Sequence, residues 1–154
     1  MEFILTEEHM LNLGSTYLIV KDMEQSIAFY EALLQMKASV LRYDRWTEFN
    51  FSGHCIALLN PKYDEELIDS KSDVQVHYNR AYIEHLRRKT VYGNNIVLNF
   101  YIDDLNEEYK RIKELNIGKL SDIMYINISS PYYHFIVDDP DGNTIEITGS
   151  YTEQ

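Results

Sequence analysis

The segment VDDPDGNTIEIT, from Val137 to Thr148, decides how this chain is read. Pro140 and Gly142 punctuate a tight turn. Asp138, Asp139 and Asp141 suit turn positions, because a short carboxylate can accept hydrogen bonds from nearby backbone N–H groups. The residues that follow alternate, with Ile145 and Ile147 on one face of a strand and Thr144, Glu146 and Thr148 on the other. That pattern describes a half-buried strand carrying one carboxylate. Glu146 is open to three roles: a general base, a ligand-binding anion, or a structural acceptor of hydrogen bonds. A calcium loop is not among them, since the turn lacks regularly spaced oxygens and a closing glutamate.

Working outward, the chain repeats itself. When Asp22 is laid on Asp104, STYLIVKDMEQSIAFYEALLQM from Ser15 answers VLNFYIDDLNEEYKRIKELNIG from Val97. Met23 then falls on Leu105, Ile27 on Tyr109, Tyr30 on Ile112 and Leu33 on Leu115, the stripe of an amphipathic helix in both copies. A strand precedes each helix (YLIV, VLNFYI), and each aspartate is placed to cap the helix N-terminus. Three strands follow in each copy: SVLRYD, WTEFNF and HCIALL in the first, MYINIS, YHFIVD and NTIEIT in the second.

The predicted architecture is α+β: two tandem βαβββ modules whose curved mixed sheets enclose a cleft. Residues 1–154 form a single domain, with the first module over 10–60, an insertion over 61–95 and the second module over 96–150. The insertion opens polar (KYDEELIDSKSD) and continues as AYIEHLRRKT, which can form one or two helical turns. A binding loop or lid and an unstructured tether are both open readings for a connection of this length.

Composition bounds the function. The 25 acidic and 14 basic residues give a net charge of −11, which argues against a nucleic-acid partner. The short run Arg87-Arg88-Lys89 reads as a solvated helix end. No apolar run approaches the roughly 20 residues needed to span a bilayer, so no membrane partner is expected. Met1 to Met10 carries three glutamates and no basic stretch, unlike a secretory signal. Cys55 stands alone, which excludes an internal disulfide and a thiolate metal cluster, and its place in CIALL reads as core. The expected location is the cytoplasm.

Paired βαβββ modules, the helix starts at Asp22 and Asp104, Phe29-Tyr30 and the run DPDGNTIEI together resemble the vicinal oxygen chelate superfamily, the glyoxalase, bleomycin-resistance and extradiol-dioxygenase group. The resemblance covers nearly the whole chain outside 61–95. It implies metal ligands on the first and last strands of each module. Carried over by position, these are Glu146, Ser15, its repeat counterpart Val97, and Ala57 or Leu59. Only Glu146 can bind a divalent ion, so no metal or other cofactor is expected, and any metal would use Glu146 with a nonstandard set such as His134 and His54.

The resemblance also places Ser15 and Tyr17, and Val97, Asn99 and Tyr101, on the cleft side. Leu18, Val20, Leu98, Phe100 and Ile102 then face the helices. With 13 tyrosines in the chain, the cleft is expected to have aromatic walls. Candidate ligand-binding residues are Tyr17, Trp46, His54, Asn99, Tyr101, Tyr133, His134 and Glu146, with Glu146 also the candidate catalytic group. The expected function is binding of a small organic molecule, cationic or hydrogen-donating, as in sequestration or resistance. The alternative is a metal-dependent lyase, thiol transferase or dioxygenase built on Glu146, so whether the protein is an enzyme stays open. A homodimer is what the resemblance implies.

Overall fold

A computed structural model describes residues 10–70, 77–93 and 95–154. The first module runs β1 (Thr16–Ile19), α1 (Met23–Leu34), β2 (Val40–Arg42), β3 (Trp46–Phe51) and β4 (His54–Leu59). The second runs β5 (Val97–Asp104), α4 (Leu105–Leu115), β6 (Met124–Asn127), β7 (Pro131–Asp138) and β8 (Thr144–Ser150), after the insertion helices α2 (Pro61–Asp69) and α3 (Arg80–Leu86) among the described residues. The sheets have matching orders, β1-β4-β3-β2 and β5-β8-β7-β6. In each, the first strand is parallel to the last and the remaining pairs are antiparallel. Tyr17 pairs with Ala57 as Asn99 pairs with Glu146, so Ala57 rather than Leu59 is the counterpart of Glu146.

Local chemistry explains the repeated helices. Asp22 accepts from the Gln25 backbone N–H and Asp104 from that of Glu107, each satisfying a donor left free by the first turn. Both helices end on a left-handed residue, Gln35 and Asn116. Met23, Tyr30, Leu105 and Ile112 are buried at matched positions. The last match fails: Leu33 is buried and Leu115 is exposed.

One apolar core runs through both modules, including Leu18, Phe29, Tyr30, Phe49, Leu58, Phe135, Ile145 and Ile147. Ring stacking of Phe51 on Phe100 joins the two halves. The turn at Pro140 and Gly142 also reaches the first module. Asp139 accepts from the backbone N–H groups of Asp141 and Asn143, as a turn carboxylate should. The Tyr30 hydroxyl also donates to Asp139, at 2.6 Å. Asp141 accepts from the Lys21 backbone N–H at 3.0 Å and from the Ser26 hydroxyl at 3.4 Å. On the far side of α1, the Arg111 guanidinium donates to the carbonyls of Ala32 and Leu33, cations suiting a helix C-terminus.

The insertion holds more helix than its composition suggested. Asn60 caps α2 through Lys62 and Pro61 occupies the first turn, where its missing N–H costs nothing; residues 71–73 of the polar run lie outside the described residues. AYIEHL forms α3, capped by Asn79. Buried Asp64 anchors the segment, accepting from Arg45 Nε at 2.8 Å and Nη2 at 3.2 Å, Tyr78 at 2.7 Å and Tyr82 at 2.5 Å. Among the described residues, the insertion is docked on the first module.

The sheets do not close into a cleft. Their faces opposite the helices stay open, leaving Val97, Tyr101 and Tyr132 exposed on the second sheet, and Tyr17 exposed on the first. Among the described residues no helix is long and apolar enough to cross a membrane.

Candidate functional site

On the open face of the second sheet, strand register sets Asn99 beside Glu146, and Tyr101 and His134 on either side of Thr148. These residues alternate with Phe135, Ile145 and Ile147, which are buried on the helix side. The burial of one set therefore fixes the direction of the other.

Hydrogen bonds hold this group together. Asn99 Nδ2 donates to Glu146 Oε1 at 2.7 Å and to Thr148 Oγ1 at 3.0 Å, and the Thr148 hydroxyl lies 3.5 Å from the same Glu146 oxygen. The second oxygen, Oε2, stands 3.9 Å from His134 Nε2, beyond hydrogen-bond reach. The carboxylate is thus fixed by one oxygen while the other keeps acceptor capacity. The Glu146 side chain is 26% exposed, so the group is partly open to solvent. His134 is 5% exposed, and the Tyr132 ring stacks on it at 5.2 Å. Its Nδ1 is buried and has no hydrogen-bond partner among the described residues.

The arrangement can accept a hydrogen bond or a positive charge at Glu146, offer the His134 ring as a hydrogen-bond donor or acceptor, and cover a ring with Tyr101 or Tyr132. A divalent metal would find Glu146 and His134 as its donors here. Zinc and iron sites use three or more, and no group of three or more His, Cys, Asp or Glu is gathered among the described residues. This pair does not complete such a site by itself. Ala57 is buried at the counterpart position and offers no donor.

The remaining candidates are distributed. Tyr17 and Trp46 meet edge to face at 5.2 Å on the open face of the first sheet. His54 is exposed at the start of β4, on the first sheet. With Ser15, Asn99 and Tyr101 it lines a groove of about 1200 Å³ between the modules. Tyr133 neighbours His134 in sequence and therefore points the opposite way, packing against Tyr125 and Tyr151 on the helix side.

Two charged groups escaped the sequence reading. Glu48 lies on the open face of the first sheet and accepts from Trp46 Nε1 at 2.8 Å and Asn50 Nδ2 at 3.2 Å. The bonds from Trp46 and Asn50 hold its carboxyl below the usual range. The alternation in WTEFNF carried that signal, since Thr47 and Phe49 are buried on the other face. Asp64 had no such signal, because its partners come from separate segments. Cys55 corrects an expectation: it is half-buried rather than core, with Sγ 3.9 Å from Glu48 Oε1. Ile56 and Leu58 fill the interior instead. Burial and the Glu48 charge push its thiol upward in pKa, the wrong direction for a nucleophile.

A family model described as the Glyoxalase/Bleomycin resistance protein/Dioxygenase superfamily matches residues 9–147. Among solved structures, a lactoylglutathione lyase from Agrobacterium tumefaciens is similar at 19% identity and a TM-score of 0.61, over 90% of this chain and 93% of that one. A glyoxalase-related enzyme from Fulvimarina pelagi gives 17% and 0.62, over 92% and 89%. An integron cassette protein from V. cholerae gives 20% and 0.61, over 97% and 100%. At these identities the likeness is one of fold. No curated protein matches the chain.

Proposed function

The chain belongs to the Glyoxalase/Bleomycin resistance protein/Dioxygenase superfamily, and from that premise we propose that it binds a small organic molecule, cationic or hydrogen-donating, on the open face of its second sheet. The observation that carries this reading is the Asn99–Glu146–Thr148 group, in which a carboxylate is fixed by one oxygen and open at the other. Tyr101 and Tyr132 supply aromatic surface beside it, suited to an organic cation. Sequestration needs no more than this, because binding requires no proton transfer. A cytoplasmic setting is consistent with the single cysteine.

We propose a homodimer in which a second copy packs on the edge strands of this sheet, where Val97 and Ile126 are exposed, and leaves Glu146 and Tyr101 to the ligand. The alternative reading, a metal-dependent lyase, thiol transferase or dioxygenase, draws on the 3.9 Å approach of His134 to Glu146, with further ligands supplied from outside this face.

Thermal shifts on untagged protein separate the two readings. Benzylammonium should raise the melting temperature of the native protein and not of Glu146→Gln, with Zn²⁺, Mn²⁺ and Fe²⁺ giving no Glu146-dependent shift. Near-stoichiometric metal by elemental analysis, lost in Glu146→Gln, would establish the metal reading instead.

A further inference from the structure

The insertion covers one end of the open face of the first sheet and leaves a groove of about 450 Å³ beneath it, within the size range of small-molecule pockets. Tyr17, Trp46 and Leu59 line it from the sheet; His85, Arg88 and Lys89 line it from the insertion.

Two features make the groove preformed. Asp64, wholly buried, ties Arg45 of the β2–β3 turn to Tyr78 and Tyr82 of the insertion, and the rings of Tyr78 and Tyr82 stack at 5.5 Å. Trp46 is oriented separately, through its indole N–H to Glu48 and the edge contact with Tyr17. Side chains already immobilised lose little entropy when a ligand arrives.

The charge of the groove opposes that of the molecule. In a chain of net charge −11, Arg88 and Lys89 line this space with Glu65 as the one carboxylate among the described lining residues, since Arg45 is already neutralised by Asp64. An organic cation is disfavoured here. A bare inorganic anion would leave the aromatic and aliphatic floor unused. A planar ring on that floor with a carboxylate toward the cations satisfies both surfaces.

We infer that this groove is a binding site for a small aromatic carboxylate, separate from the Glu146 face and independent of what that face binds. Trp46 is the chain's single tryptophan, so its emission reports on the site directly. Benzoate titrated at constant ionic strength should change that emission saturably. Replacing Arg88 and Lys89 together by Ala should weaken the response roughly tenfold or more, the effect of losing hydrogen bonds to a charged group, while Glu146→Gln leaves it unchanged. Both cations are exposed, and circular dichroism of the double variant confirms that it folds. The inference is overturned if benzoate gives no saturable change, if the double variant responds like the native protein, or if acetate or benzylammonium responds equally.

Discussion

Tyr30 in α1 and Asp139 in the turn before β8, 109 residues apart in sequence, meet through a buried 2.6 Å hydrogen bond. With Asp141 bound to Lys21 and Ser26, it fastens the first helix to the second module. Tyr30→Phe keeps the ring and removes only the donor. Asp139 retains its bonds from Asp141 and Asn143, so the expected loss is about 1–3 kcal/mol. Urea unfolding should show a lower midpoint with an unchanged slope; an unaltered midpoint would mean the bond does not hold the modules together.

Asp64 governs the insertion. Burial opposes its ionisation, but hydrogen bonds from Arg45, Tyr78 and Tyr82 outweigh that and hold its carboxyl below the ordinary value. Its folded pKa is thus lower than its unfolded one, so its contribution is complete above the ordinary carboxylate range and is lost as pH falls through the folded value. Asp64→Asn should release the segment and speed tryptic cleavage at Arg87, Arg88 and Lys89, at a stability cost of about 1–3 kcal/mol. Cleavage at the native rate would show that the anchor is dispensable.

The Trp46 indole N–H donates to the Glu48 carboxylate and so reports its ionisation. The Trp46 hydrogen bond is the main reason the Glu48 carboxyl is lowered. Tryptophan emission should therefore stay constant as pH falls through the ordinary carboxylate range and change only at more acid pH. In Glu48→Ala this low-pH transition should vanish. A transition centred on the ordinary glutamate value would contradict the bond.

The architecture was legible because the chain states it twice, once in each module. Asp22 and Asp104 cap equivalent helices, and the alternation in NTIEIT puts Ile145 and Ile147 inside and Glu146 outside. What stayed hidden depends on partners remote in sequence. Asp64 looks like one more acid in a polar run until Arg45, Tyr78 and Tyr82 converge on it. Asp141 resembles a turn residue until α1 arrives beside it. For Tyr133 and Cys55, strand alternation decides which face each occupies. Glu48 obeys that same rule, since Thr47 and Phe49 are buried on the other face of its strand.

The side-chain amide of Asn99 is the most direct witness for ligand binding, since its Nδ2 touches both Glu146 and Thr148. Nuclear magnetic resonance of ¹⁵N-labelled protein titrated with benzylammonium should move this amide saturably. In Glu146→Gln the apparent affinity should fall roughly tenfold or more, with stability changed by less than about 1 kcal/mol. An Asn99 amide that does not respond, or responds equally in Glu146→Gln, would contradict a ligand site on this face.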